Sequence, residues 1–226
     1  MLRKSWPVTG NPTEGRLAGI FVARSRQCDM SLFPDRMESD RLVYERLHPE
    51  TTDPLELYQH VNPKAPAIDD ITRYVPWDAH ESPKETAEFI QDCGEAFVAG
   101  EDAHYIVRPT EGDREGELAG LAALHPDWPC RLAKLGTWFR NPFWGRGYSG
   151  ERAARFLKLA FDRLEFEVVA VTCDPENESS QRAIESYIDR FGGRREGRIR
   201  NDIVIGGEPR DSLRYSVARE EWERNR

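Results

Sequence analysis

The chain has 226 residues, of which 38% are hydrophobic and 32% are charged, so it can bury the core of one ordinary domain beneath a heavily ionised surface. Forty acidic residues against 32 basic ones give a net charge of −8, which argues against general nucleic-acid binding. No apolar run approaches membrane-spanning length, and none of the four cysteines forms a C-x-x-C pair. We therefore expect a cytoplasmic, metal-free protein, a monomer or homodimer that binds no membrane.

The first segment of the chain differs in composition from the remainder. Residues 1–29 carry five basic and two acidic side chains, a net of +3, and show little periodicity. We expect residues 1–30 to be a disordered or mis-started extension, with Met30 as an alternative start, and residues 31–226 to form the domain.

The first half of this domain alternates strands and helices. Ser82-Pro-Lys-Glu85 is a capping box with proline at the first helical position, so it predicts a helix start. The patterns predict, in order, a strand at Arg41–Leu47, a short helix at Thr52–His60, an aromatic loop at Ile71–Trp77, a helix from Ser82 to near Gly100, and a hairpin of strands His104–Arg108 and Glu117–Leu124.

The second half contains a crossover unit. Strand Arg131–Phe139, an amphipathic helix and the apolar strand Val168–Cys173 predict two parallel strands joined by a right-handed connection. A further helix follows Asn177 and ends near Gly192, before closing strands at Arg194–Arg200 and Leu213–Val217. The fold class is thus α/β (α+β): one domain with a mixed, mostly antiparallel sheet of about seven strands and about four helices.

A glycine-rich loop precedes the crossover helix. Gly145, Gly147 and Gly150 allow close backbone approach, and the helix start supplies free N–H groups, which together favour a phosphate site. The G-x-G-x-x-G spacing, with Asp174 about 20 residues on, also matches a dinucleotide fingerprint. Most of the sheet precedes this loop, however, and too little chain follows it for a doubly wound fold. A Walker loop is excluded because no Gly-Lys-Ser/Thr follows. A tight turn without a ligand remains an alternative.

The order of the motifs resembles the GNAT superfamily of acetyl-coenzyme A-dependent N-acetyltransferases, in particular its Rim-type branch, which acetylates protein N-termini such as those of ribosomal proteins. The resemblance covers residues ~33–222 and rests on Glu38-Ser-Asp-Arg-Leu42, Trp144-Gly-Arg-Gly-Tyr-Ser-Gly-Glu151, Asn177-Glu-Ser-Ser180, Arg195-Glu-Gly197 and Arg210-Asp211. Trp144 and Ser149 depart from the usual loop consensus. Ile184 occupies the position of a tyrosine that often serves as general acid.

The resemblance implies that the parallel pair splays at the coenzyme site and that acetyl-CoA donates an acetyl group directly to a primary amine in a ternary complex. It assigns coenzyme binding to Trp138, Phe139, Trp144, Gly145, Arg146, Gly147, Tyr148, Ser149, Gly150, Asn177 and Ser180, although Asn177 and Ser180 also fit a plain helix cap. A main-chain N–H near Trp138–Phe139 would polarise the thioester carbonyl.

The acceptor amine and the acid–base groups are less defined. An α-amine, with a pKa of about 7.7–8.0, needs less help than a lysine, and no motif contains a histidine base, so a protein or peptide N-terminus is favoured. Ser180 is the candidate partner for the leaving sulfur, Glu196 and Asp202 are candidate proton guides, and Tyr74, Trp77 and His80 are candidates for the acceptor site. A non-catalytic acyl-CoA sensor and an NAD(P)-dependent oxidoreductase are the alternatives.

Overall fold

The computed structural model describes residues 31–226, so the prediction for residues 1–30 concerns residues outside that range. The described residues form one eight-stranded sheet and six α-helices. The strands are β1 (Arg36–Glu38), β2 (Leu42–Arg46), β3 (Ala103–Pro109), β4 (Gly120–Asp127), β5 (Leu132–Phe139), β6 (Val168–Cys173), β7 (Arg194–Ile205) and β8 (Glu208–Ala218). The helices are α1 (Pro54–Val61), α2 (Ile68–Thr72), α3 (Pro83–Ala99), α4 (Tyr148–Lys158), α5 (Glu178–Arg190) and α6 (Arg219–Asn225).

The sheet has one parallel pair, at its centre. The strand order is β1-β2-β3-β4-β5-β6-β8-β7, and every neighbouring pair except β5–β6 is antiparallel. β5 and β6 pair only over Leu132–Lys134 and Val168–Ala170, and beyond Lys134 the two strands separate. The predicted mixed sheet is confirmed. Because it is mostly antiparallel, it is not the doubly wound sheet that a dinucleotide fold requires.

Helices cover both faces of this sheet. Helices α1 and α3 pack together over a smaller apolar cluster that includes Leu57, Ile90 and Leu121. Helices α4 and α5 pack together on the larger core, which includes Phe156 and Ile184. The separation between β5 and β6 therefore opens between two helical layers.

Three short elements were not predicted: β1, α2 and α6. Each has too few residues to display a period, and tertiary contacts hold them; Trp222 of α6, for example, packs against Phe161 and Phe191. Strand β4 also ends three residues later than predicted, at Asp127. Among residues 31–226, no helix combines the length and apolar character needed to cross a membrane.

Candidate active site

A cavity of about 450 Å³ runs through the gap between β5 and β6. Its walls come from β5 and β6, from Ser149 and Arg152 of α4, from Ser180, Ile184 and Tyr187 of α5, and from the segment that connects α2 to α3 on the opposite face. The cavity thus joins the two faces of the sheet. A donor that enters from the α4–α5 side and an acceptor that enters from the α1–α3 side would meet between the strands.

The glycine loop forms the start of α4, beside this cavity. Gly145 and Gly147 have φ values of 72° and 79°, in the left-handed region that favours glycine, and Gly147 is the residue that precedes the helix. No side chain among the described residues caps the start of α4. Its first N–H groups are therefore available to an anion, as a pyrophosphate site requires.

Glu151 fixes the position of this loop relative to the edge of the sheet. One carboxylate oxygen accepts hydrogen bonds from the Ser39 hydroxyl and from the Arg41 main chain, each 2.7 Å long, and the other pairs with the Arg41 guanidinium at 2.8 Å. Arg41 also donates to the carbonyl of Arg146, at 3.1 Å. We call this set of contacts the Glu151 clamp. It gives a role to the Glu38-Ser-Asp-Arg-Leu42 motif, which lies about 110 residues earlier.

Other predicted loop residues make contacts within the protein. The Trp144 indole donates to the carbonyl of Phe139 at 2.7 Å, and the Arg146 guanidinium pairs with Asp113 at 3.0 Å. Tyr148 is buried against Phe139 and Phe143. These side chains shape the loop, and the main chain is left to contact a ligand. Gly150 faces open space, and Asn177 caps α5 by accepting from the N–H of Ser180 at 3.0 Å.

Beyond Lys134, the edge of β5 that faces β6 is unpaired, so its main-chain N–H groups can donate hydrogen bonds into the gap. The N–H of Arg140 donates to Ala119, next to β4. Because successive N–H groups along a strand point to opposite edges, those of Thr137 and Phe139 point towards the gap. This refines the predicted donor near Trp138–Phe139: the amide of Phe139 faces the gap, whereas that of Trp138 faces β4.

All three predicted acceptor residues line the cavity. Tyr74, Trp77 and His80 are half-buried, and Trp77 packs against Trp138 of β5 with ring centroids 5.6 Å apart. His80 shares a 2.8 Å hydrogen bond with Thr86. The two acids that were predicted to guide the proton do not line the cavity. Glu196 pairs with Arg214 at 2.7 Å, and Asp202 accepts a hydrogen bond from the hydroxyl of Ser212.

Two histidines that no motif contains do line it. His104 of β3 and His125 of β4 have ring centroids 5.4 Å apart, and Nδ1 of His125 lies 2.7 Å from a carboxylate oxygen of Asp102. Because a carboxylate only accepts, Nδ1 donates this hydrogen bond, so in the neutral imidazole Nε2 is the acceptor. Nε2 lies against Gly136 of β5, where an added Cβ would approach it to 3.0 Å. Glycine at position 136 therefore makes room for His125 beside the gap.

His104 makes the stability of the fold depend on pH. Burial, followed by the neighbouring His125, lowers its pKa from 6.5 to about 4. The unfolded chain takes up this proton first as pH falls, so the free energy of unfolding should decrease by about 2–3 kcal/mol between pH 6.5 and pH 4. The groups that face His104 are Phe89 from α3, and His125 with Asp102.

Urea unfolding across this pH range would measure the effect. In His104→Asn, the free energy of unfolding should depend less on pH than in the unchanged chain. Some dependence should remain, because burial also lowers the pKa values of His60 and His80. His48→Asn, at a site outside the cavity, serves as the matched control. Identical slopes in the unchanged chain and in His104→Asn would contradict the assignment.

Comparison with known proteins agrees with this geometry. The model of the acetyltransferase (GNAT) domain matches residues 41–187. YdaF of Bacillus subtilis (strain 168), provisionally named a ribosomal N-acetyltransferase, is 32% identical over 110 residues, which cover 48% of this chain and 58% of YdaF. The match thus spans little more than half of YdaF.

Solved structures that share the fold include two acetyltransferases with bound coenzyme. Mycobacterium smegmatis RimJ in complex with CoA-disulfide has a TM-score of 0.70 at 16% identity, covering 84% of this chain and 90% of RimJ. The Microcin C7 self immunity acetyltransferase MccE, in complex with acetyl-CoA and AMP, has a TM-score of 0.70 at 17% identity, covering 84% and 99%.

Proposed function

Because the chain belongs to the acetyltransferase (GNAT) family, we propose that it transfers an acetyl group from acetyl-CoA to a primary amine, in particular the N-terminal α-amine of a protein or peptide. The observation that carries the proposal is the cavity that joins the two faces of the sheet through the gap between β5 and β6. Membership of this family agrees with the resemblance that the motifs indicated. The similarity to YdaF and the shared fold with RimJ support the assignment to the Rim-type branch.

The residues present fit acetyl-CoA. The uncapped start of α4 with Gly145 and Gly147 would hold the pyrophosphate, and the edge of β5 would hold the pantetheine arm and the thioester. The bound coenzyme supplies an activated acyl group. The amide of Phe139 polarises the acyl carbonyl, and the hydroxyl of Ser180 donates to the departing sulfur.

His125 is the proposed proton acceptor. An ammonium group cannot attack a carbonyl, so a protonated amine must first lose a proton. His125 lines the cavity with an available Nε2, and Asp102 holds its ring in that orientation. Nε2 takes one proton from the ammonium group, the neutral nitrogen then bonds to the acetyl carbon as the carbon–sulfur bond breaks, and the second proton passes from nitrogen to the departing sulfur. Asp102 acts as a positioning residue.

Two features support an α-amine as the acceptor. The pKa of an α-amine, about 7.7–8.0, leaves a useful neutral fraction near pH 7, which one histidine base can augment. The name of the relative YdaF describes a ribosomal N-acetyltransferase, which agrees with a protein as the acceptor. The aromatic side chains of Tyr74 and Trp77 would border the first residues of the bound peptide.

Free-thiol release with a peptide panel tests the proposal. A peptide with a free N-terminus should release thiol and gain one acetyl group by mass spectrometry, whereas the same peptide with a blocked N-terminus and an internal lysine should react much more slowly. Thermal stabilisation by acetyl-CoA without thiol release from any amine would instead indicate a non-catalytic acyl-CoA sensor, an alternative that Ile184 at the usual acid position favours. Stabilisation by NADH alone would contradict the proposal.

A further inference from the structure

Arg152 is a buried cation that forms no ion pair with another side chain of residues 31–226. It lies on the inner side of α4, its exposed fraction is 1%, and it lines the cavity. Within residues 31–226, its Nε and Nη1 atoms have no hydrogen-bond partner. Isolated buried charges are strongly destabilising, so such side chains are normally paired.

The nearby carboxylates are already engaged. Glu151, the preceding residue, is held by Ser39 and Arg41. Asp174, the acid that lines the cavity, accepts from Arg210 at 3.3 Å and from the N–H of Glu176 at 2.8 Å. Arg152 therefore faces the cavity with a charge that these acids do not neutralise.

Tyr187 supplies a second unsatisfied polar group at the same place. Its hydroxyl is buried, lines the cavity and has no partner with hydrogen-bond geometry among the described residues. Burial raises the pKa of Tyr187 to about 12, although the nearby Arg152 opposes this effect. The hydroxyl therefore keeps its proton at neutral pH and is available as a donor.

Tyr187 lies two helical turns along α5 from Ser180, the residue proposed to contact the thioester sulfur. Ser180, Ile184 and Tyr187 all line the cavity and follow one side of α5, at the spacing of successive helical turns. Ser180 is half-buried, whereas Ile184 and Tyr187 are buried. Ile184 therefore lies between Ser180 and Tyr187 on this wall of the cavity, and we expect an acyl chain that extends inward from a sulfur beside Ser180 to approach Tyr187 and Arg152.

We propose that Arg152 and Tyr187 form a carboxylate subsite, which takes the free end of a dicarboxylic acyl group carried by coenzyme A, such as a malonyl, succinyl or glutaryl group. The inference rests on the proposed function, and it extends the donors from acetyl-CoA to these acyl-CoAs. The bond changes are those of acetyl transfer: His125 takes one proton from the ammonium group, the neutral nitrogen bonds to the thioester carbon as the carbon–sulfur bond breaks, and the second proton passes to the departing sulfur. The terminal carboxylate is bound by Arg152 and takes no part in the reaction.

Donor specificity of the full chain tests the subsite. We expect thiol release and peptide acylation with at least one of malonyl-, succinyl- and glutaryl-CoA. Arg152→Met, which keeps the length and removes the charge, should lower kcat/KM for that donor relative to acetyl-CoA by about 100-fold, since charged hydrogen bonds in a buried site are strong. Tyr187→Phe should lower the same ratio by a smaller factor. Arg155→Met, on the same helix but outside the cavity lining, should leave the ratio unchanged.

Binding provides a readout that does not depend on turnover. The dicarboxylic acyl-CoA should raise the thermal midpoint more than acetyl-CoA does, and Arg152→Met should remove this difference. Acetyl transfer without transfer from any of the three dicarboxylic donors would overturn the subsite and leave the proposed function intact, as would an Arg152→Met effect equal for both donor types. If no acyl donor releases thiol with any amine, the proposed function fails, and the thermal comparison alone decides whether the subsite exists.

Discussion

Gly147→Asp should abolish coenzyme A binding, with a loss of at least about 100-fold in affinity. The substitution places a carboxylate at the start of α4, where the pyrophosphate is expected, and like charges at close range cost several kcal/mol. The φ value of 79° at Gly147 is one that aspartate adopts more readily than most residues, and aspartate is also a favoured residue before a helix. The variant should therefore fold. Its added Cβ lies 3.6 Å from the Arg41 guanidinium of the Glu151 clamp, so an uncharged variant is needed to separate the effect of charge from a disturbance of the clamp.

Calorimetric titration with coenzyme A measures this effect, and two variants serve as controls. Gly147→Asn keeps the size and removes the charge, so it should bind with intermediate affinity. Gly112→Asp introduces the same side chain at another glycine of positive φ, with no atom within 4 Å of the added Cβ, and should bind normally. Undiminished binding by Gly147→Asp would refute the pyrophosphate assignment of the loop.

His125→Gln should lower the rate of acetyl transfer near neutral pH by about 10²–10⁴-fold, the usual contribution of a positioned general base. As pH rises, the acceptor amine loses its proton without assistance, so the variant should recover activity and approach the unchanged enzyme in alkaline solution. Asp102→Asn should cause a smaller loss, because it disturbs the orientation of the His125 ring and leaves Nε2 in the site.

The pH–rate profile separates this role from a structural one. A variant that is merely misfolded loses activity equally at every pH, whereas loss of a base is repaired by alkali. The groups that face His125 are Asp102, which directly precedes β3, His104 from β3 and Lys134 from β5, so the profile should also be recorded for Lys134→Met. His48→Gln serves as the matched histidine control outside the cavity. Parallel profiles for His125→Gln and the unchanged enzyme would show that His125 is not the base.

The sequence allowed the fold class and the place of the glycine loop in the fold to be predicted. The apolar run Val168–Cys173 and the amphipathic helix before it indicate a crossover, and the structure confirms one parallel pair in an otherwise antiparallel sheet. The position of the glycine loop was also correct, because its glycines and the start of α4 follow local rules. The roles of the individual coenzyme-binding residues stay predictions.

The acceptor side depends on strand register, which local patterns specify less well. Ala103 pairs with Leu124, so Asp102 and His125 meet at the end of the hairpin. Because the strand was predicted to end at Leu124, His125 was placed outside the sheet, and its pairing with Asp102 was not predicted. Arg152 posed a different problem, because a charged residue on an amphipathic helix is normally solvated. Arg152 is buried because its side chain lines the cavity between β5 and β6, and the periodicity of the helix sequence gives no sign of that cavity.

The Glu151 clamp determines whether the glycine loop would keep its orientation outside this protein. Residues 144–151 carry the three glycines of the loop, yet the carboxylate of Glu151 is held by Ser39 and Arg41, which directly precede β2. A segment transplanted into another scaffold would keep its sequence and lose the anchor that fixes its direction relative to the sheet. The loop sequence alone is therefore not sufficient to transfer the site, and residues 39–41 would have to be transferred with it.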